Sequence, residues 1–280
     1  MNIVVSASRR TDLTAFFPDR LAADLREENA RIVGPSGRSY EVDLRPANVH
    51  TIVLWSKDFD NLIADRDGLR RLLTKYEQAY FHFTITGLGG TPIEPGAPPS
   101  DSALAQIPEL VRIAGSPARI SVRFDPVVFW REGGDVLSNM PFFPAVARRA
   151  ASAGIENIRI SFAQWYGKAR RRAGKRGFDF FDPGESEKRA RACEMAGIAA
   201  DAGLRLFACS QEFLSSVPGI RPSSCIDGRL LRELHPRREA VSEKKDRTQR
   251  RECLCTESRD IGSYTQNCPH GCVYCYANPT

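Results

Sequence analysis

Short apolar runs alternate with longer stretches of helical spacing along most of this chain. Residues 2–6, 50–55, 80–86, 119–124, 155–162 and 204–209 are strand-sized runs rich in β-branched and aromatic side chains. Between them, apolar positions recur with helical period over 18–28, 67–76, 102–114, 141–153 and 185–202. Strands separated by helices of such length call for parallel βαβ units, because a parallel neighbour needs a crossover connection. The alternation predicts an α/β fold, a TIM-like partial (β/α)6 barrel over residues 1–224. A doubly wound sheet is the alternative. Residues 225–280 read as a cysteine-rich extension that binds a cluster and packs over the barrel mouth.

Polar residues gather just after the predicted strands, where parallel α/β proteins build their active face. Arg9, Arg10 and Asp12 follow the first strand, and Ser56, Lys57 and Asp58 follow the second. Thr86 and Gly87 close the third, Arg123 and Asp125 the fourth, and Cys209 the sixth. Thr11, Asp12 and Thr14 can equally cap a helical turn. The Gly87–Gly90 run reads first as a turn and second as a close approach to a ligand.

Composition narrows the class. The chain has 280 residues, 42% hydrophobic and 26% charged, enough to bury an ordinary core. No apolar run reaches the ~18 residues needed to span a bilayer. The chain also enters its first strand without a signal-like segment, so a cytoplasmic protein without membrane partners is expected. Lys and Arg number 40 against 34 Asp and Glu. The surplus is clustered in 168–176, with six basic residues and no acid, and in 237–251, with seven basic and three acidic residues. Such runs read as solvated loops or as a phosphate-binding footprint. Neither interleaves aromatics for base stacking.

Eight cysteines are many for a reducing compartment, where clustered thiols point to metal or catalysis rather than disulfides. Cys268-Pro-His-Gly-Cys272-Val-Tyr-Cys275 has x3–x2 spacing and an aromatic before the third thiol. Three thiolates so placed suit three irons of a [4Fe-4S] cluster and leave the fourth iron without a protein ligand. Zinc would need a fourth ligand, for which His270 is at hand but lies inside the loop. Cys253 and Cys255, at i and i+2, face one way on an extended segment. With Cys209 and Cys225 they make a full four-thiolate set for a second [4Fe-4S] cluster or zinc. The competing reading leaves Cys209 in the core and Cys225 in an incidental loop. Cys193, among alanines on a predicted helix, reads as a small buried hydrophobe.

Several segments together resemble the bacterial family known as domain of unknown function 1848. They are Ser6 to Asp12 (Ser-Ala-Ser-Arg-Arg-Thr-Asp), 52–57, Phe83-Thr-Ile-Thr-Gly87 with Glu94-Pro95, and Arg123-Phe-Asp-Pro126. Ser161-Phe162 with Tyr166 and Lys168, Cys225-Ile-Asp227, Asp260 to Tyr264, and the tail from Cys268 to Asn278 continue the likeness. After Cys209 the chain reads Ser-Gln-Glu, where the resemblance leads one to expect Ala-Glu, which displaces Glu212. The resemblance implies a radical S-adenosylmethionine-like protein whose cysteine motif has moved to the C-terminal end. The tail is also locally similar to the cluster loop of spore photoproduct lyase.

The expected function is therefore that of a radical S-adenosylmethionine-type enzyme, making a 5′-deoxyadenosyl radical to act on an unknown small-molecule or nucleic-acid substrate. A flavodoxin or ferredoxin would donate the electron. Arg9, Arg10, Asp12, Arg123 and Asp125 are the candidate cofactor-binding residues: the arginines for carboxylate or phosphate, the aspartates for ribose hydroxyls. No catalytic residue is assigned. The alternative is a non-catalytic iron–sulfur protein that binds nucleic acid or carries electrons.

Overall fold

The computed structural model describes residues 1–279. Its main sheet has eight strands: β1 (Ile3–Ala7), β2 (Val49–Ser56), β3 (Ala79–Thr84), β4 (Ile120–Val127), β5 (Asn157–Phe162), β6 (Arg205–Cys209), β7 (Ile220–Ser223) and β8 (Arg259–Asp260). The order across the sheet is β7-β6-β5-β4-β3-β2-β1-β8, and every pairing is parallel. Each strand from β1 to β7 lies beside its successor, with none of the order reversal that marks a doubly wound sheet. Among the described residues no ladder joins β7 to β8, so both are edges. The six expected strands are β1 to β6. β7 and β8 are additions, and β8 belongs to the stretch beyond residue 225, so the C-terminal segment is part of the sheet.

The two faces of the sheet are chemically different. Val5 and Ala7, Ile52 and Leu54, Phe81 and Phe83, Val122 and Phe124, Ile158 and Ile160, and Leu206 and Ala208 point one way, the period of two that a pleated strand imposes. There they meet Leu21, Leu25, Ile107, Leu110, Val146 and Met195 from the crossover helices, forming the largest core. The other face carries Val4, Val53, Trp55 and Tyr80, and it is covered by Ile226, Leu231, Val241, Cys253 and Cys255 of the C-terminal segment. The same face carries the polar residues Ser6, His82, Ser121, Arg123 and Arg159, all buried.

Three features depart from expectation. Two antiparallel hairpins, Asn29–Val33 with Ser39–Asp43 and Phe129–Glu132 with Asp135–Ser138, the latter extended by Phe180–Phe181 against Phe129–Glu132, were not anticipated. The second turns at Gly133-Gly134, both with positive φ, a dipeptide that signals a tight hairpin. The basic run at 168–176 forms a helix, Gly167–Lys175, rather than a loop. Cys193 is exposed rather than buried. Helix Glu185–Asp201 buries the stripe Ala192, Met195, Ala196 and Ala199, and Cys193 lies about 100° around the axis from Ala192. No helix among the described residues is long and apolar enough to cross a membrane.

Candidate metal centre and cavity

At the C-terminal ends of the strands lies a cavity of about 640 Å³, lined by Cys209, Cys225, Cys253, Cys255, Cys268, Cys272 and Cys275. Every cysteine except the exposed Cys193 therefore faces one space. Arg9, Arg10, Asp12, Arg123 and Asp125 line it as well.

The loop from Cys268 to Cys275 is held to the strand ends by direct bonds. His270 Nε2 meets Asp12 Oδ2 at 2.7 Å, and Nδ1 meets the Gly96 carbonyl at 3.0 Å. Gly96 N–H donates to the His270 carbonyl and Val273 N–H to the Ile93 carbonyl, each at 3.0 Å. A Cβ on Gly96 would lie 2.2 Å from the Pro269 oxygen, so only glycine permits this approach. Val273 packs with Leu88, Ile93, Trp165 and Ala169. From helix Gly167–Lys175, Arg172 Nη1 donates to the carbonyls of Val273 and Cys275, both at 2.9 Å, and just past the helix end Arg176 Nη1 donates to that of Gly271 at 2.5 Å. The basic run therefore clamps the cysteine loop, and at least these two cations are turned inward.

Beneath the loop, Glu94 is 1% exposed and accepts from Lys57 Nζ at 3.0 Å, Thr86 Oγ1 at 2.6 Å and the Tyr274 hydroxyl. Burial opposes the charge of Lys57, but Glu94 and the Cys272 and Cys275 sulfurs outweigh it and raise its pKa. Burial, with Cys272 and Glu94 alongside, pushes the Tyr274 phenol well up, so it stays a donor. Burial and Glu94 also push the Cys272 thiol well up, against Lys57, so a metal has to displace its proton.

The second thiol group joins three segments. Cys209 Sγ lies 3.3 Å from Cys225 Sγ, and Arg123 Nη1 donates to Cys225 Sγ at 2.9 Å. Hydrogen bonds from Cys209 and Cys255 draw the Cys225 thiol well down, with help from Arg123 and against burial. A hydrogen bond from Cys255 likewise lowers Cys253 to about 6. Cys209 and Cys225, read alternatively as a core residue and an incidental loop residue, are in direct contact and both line the cavity.

The candidate cofactor-binding residues fall into two groups. Asp12 is only 6% exposed, and its oxygens already accept from Ala15 N–H, Ser56 Oγ–H and Lys57 N–H besides facing His270. It holds the protein together rather than offering an acceptor to ribose. Asp125 accepts from Arg123 Nη2 and Ser161 Oγ. Arg123 stacks over Trp55 with its guanidinium carbon 5.2 Å from the ring centroid. Arg9 and Arg10 keep spare donors: Nη2 of Arg9 and Nη1 of Arg10 are buried without a partner. Glu212 is exposed, and Gln211 takes the inward place, bonding Phe162 through both N–H and carbonyl. The buried Lys57–Glu94–Tyr274 group and the Arg172 clamp were missed as functional residues. Lys57 was visible as a strand-end residue, but its pairing with Glu94 was not.

The loop offers three thiols and one histidine to a metal. Both ring nitrogens of His270 are engaged, one at the Asp12 carboxylate and one at the Gly96 carbonyl. Tetrahedral zinc at ~2.3 Å from each sulfur requires thiolates about 3.8 Å apart. Among the described residues, only Glu77, His235 and Glu239 bring three possible ligand atoms within 4.8 Å of one another, and none of them lines the cavity.

Among solved structures the chain is similar to a D-hydantoinase (11% identity, TM-score 0.36) and to a D-hydantoinase from Bacillus sp. AR9 (13%, 0.34). It is also similar to the carboxyl transferase domain of Rhizobium etli pyruvate carboxylase (9%, 0.28). The alignments cover 78%, 79% and 74% of this chain but only 45%, 45% and 35% of those proteins. No curated protein matches the chain. The family model described as "Domain of unknown function (DUF1848)" matches residues 4–277, and the chain belongs to that family.

Proposed function

We propose that this protein is a radical S-adenosylmethionine-type enzyme with a [4Fe-4S] cluster on Cys268, Cys272 and Cys275. The observation that carries the reading is the loop itself. Three thiols at x3–x2 spacing face a cavity at the strand ends, and the nearby histidine is spent on Asp12 and Gly96. Such a cluster, when bound, supplies an electron for reductive cleavage of S-adenosylmethionine chelated at its open iron.

The remaining chemistry belongs to the chain. Asp12, Gly96, Arg172 and Arg176 hold the loop in place. Lys57 sets a positive charge near the Cys272 and Cys275 sulfurs and offsets the negative charge of a thiolate-bound centre. Arg9 and Arg10 bring unpaired N–H donors, which suit a carboxylate or phosphate of cofactor or substrate. The singly wound strand order, with crossover helices on one face, supports a partial barrel holding the cavity at its C-terminal end. The electron donor is of the flavodoxin or ferredoxin class, and the thiol chemistry suits the reducing cytoplasm.

Reconstituted protein should form 5′-deoxyadenosine from S-adenosylmethionine in the presence of dithionite, and the C268A/C272A/C275A variant should not. A wild-type protein with an assembled cluster and no such product would instead support a non-catalytic electron carrier or nucleic-acid-binding protein.

A further inference from the structure

We propose that Cys209, Cys225, Cys253 and Cys255 hold a second metal centre, a [4Fe-4S] cluster fully ligated by protein, in the same cavity. This proposal stands apart from the reading of Cys268, Cys272 and Cys275, because it rests on different residues.

Convergence is the first ground. The end of β6, the loop after β7 and the 253–255 segment are distant in sequence, yet Cys209 and Cys225 meet at 3.3 Å and Ile226 N–H donates to Cys255 Sγ at 3.4 Å. The loops that carry them are tied together. Ser224 Oγ is 2.9 Å from the Leu254 carbonyl, Thr256 N–H donates to the Ile226 carbonyl at 2.9 Å, and Asp246 N–H to the Cys255 carbonyl at 2.9 Å. His82 Nε2 meets the Cys225 carbonyl at 2.7 Å. Thiols brought together this way and left bare beside an open cavity would be prone to oxidation.

Charge is the second ground. A centre with four thiolates is anionic, and a buried anion needs a counter-charge. Arg123 is 8% exposed and donates to Cys225 Sγ at 2.9 Å. Arg9 has a buried Nη2 without a partner. Both line the cavity together with the four thiols.

Exposure to the cavity favours iron over zinc. A structural zinc site is closed, with its thiolates about 3.8 Å apart on all sides. Here no three of the thiols lie within 4.8 Å of one another, and all four open onto the cavity. A cubane holds its thiolates on separate irons, roughly 6 Å apart, so Cys209 and Cys225 would part from their 3.3 Å contact to ligate it.

The test uses the full chain, reconstituted anaerobically with iron and sulfide. Wild type should hold about eight irons, and C268A/C272A/C275A, which leaves the four thiols intact, about four, with a brown colour absorbing near ~400 nm. In C225S and C255S the count should drop by about four, with C193A as a surface-thiol control that loses none. Arg123→Met should lower the reduction potential of one cluster and leave the other unchanged in a redox titration. A colourless C268A/C272A/C275A protein, one carrying a single zinc, or one with a Cys209–Cys225 disulfide by mass spectrometry would overturn the proposal. The reciprocal C209A/C225A/C253A/C255A variant separates the two readings, since its iron reports only on Cys268, Cys272 and Cys275.

Discussion

At Asp12, donors from the end of β2 and a helical turn meet one buried carboxylate, with His270 from 258 residues away on the same oxygen that Lys57 N–H reaches. Asp12→Asn keeps the shape but loses the charge-assisted contacts, each worth roughly 1.5–3 kcal/mol. Thermal unfolding should show a loss of about that size, and iron bound at Cys268–Cys275 should fall. Gly96→Ala tests the loop more narrowly. Its methyl would meet both the Pro269 oxygen and His270 Cα, so iron content should drop while far-UV circular dichroism stays that of wild type. A third residue bears on stability alone. Burial, opposed by Arg20, pushes the Asp24 carboxyl up to about 6. A raised carboxyl pKa means the folded chain holds a proton that the unfolded chain releases near pH ~4, so this contribution to stability falls as pH rises from about 4 to 6. Asp24→Asn should therefore stabilise by about 1 kcal/mol at pH 7, after discounting for partial exposure, and by nothing below pH ~4, as read by urea unfolding. Sequence position alone exposed Asp12 as a strand-end residue. It could not show that its acceptors were already occupied, because the partner that completes the set is at the other end of the chain.

Helix Gly167–Lys175 shows what the pattern along the chain concealed at the scale of elements. The six basic residues of 168–176 suggested a solvated or phosphate-binding loop, but Ala169 and Ala173 bury one face against Val273 and Trp165, and Arg172 reaches the loop carbonyls. The apolar signal was two alanines, too faint to outweigh the charge. Arg172→Ala should speed iron loss to a chelator severalfold, whereas Arg171→Ala, at an exposed position, should leave the rate unchanged. The strands were far more legible. β1 to β6 each run five to eight residues and carry apolar β-branched, aromatic or aliphatic side chains, whereas β8 is only two residues, Arg259 and Asp260, and carries no apolar signature at all. It joins the sheet because Asp260 accepts from Ser6 Oγ, Ser8 Oγ and Arg9 N–H at the end of β1.

For the whole molecule, the consequence is that the tail is structural as well as chemical. One face of the sheet, with Val4, Val53, Trp55 and Tyr80, has the C-terminal segment as its cover. A chain cut after residue 224 would expose that face and lose β8. It should aggregate or show a non-cooperative thermal transition, and a sharp, wild-type-like transition would show that 1–224 folds alone. The cysteine motif was readable from spacing alone, because its thiols are neighbours in sequence. That all seven non-exposed cysteines share one cavity was not, since it depends on how the 225–256 segment folds back onto the sheet.

The open coordination site on the Cys268–Cys275 cluster is the central claim, and electron paramagnetic resonance of the dithionite-reduced protein tests it most directly. Adding S-adenosylmethionine should shift the g-values of the wild type and of C209A/C225A/C253A/C255A, and no shift should appear in C268A/C272A/C275A. A reduced, iron-complete wild-type spectrum that S-adenosylmethionine leaves unchanged would contradict the account.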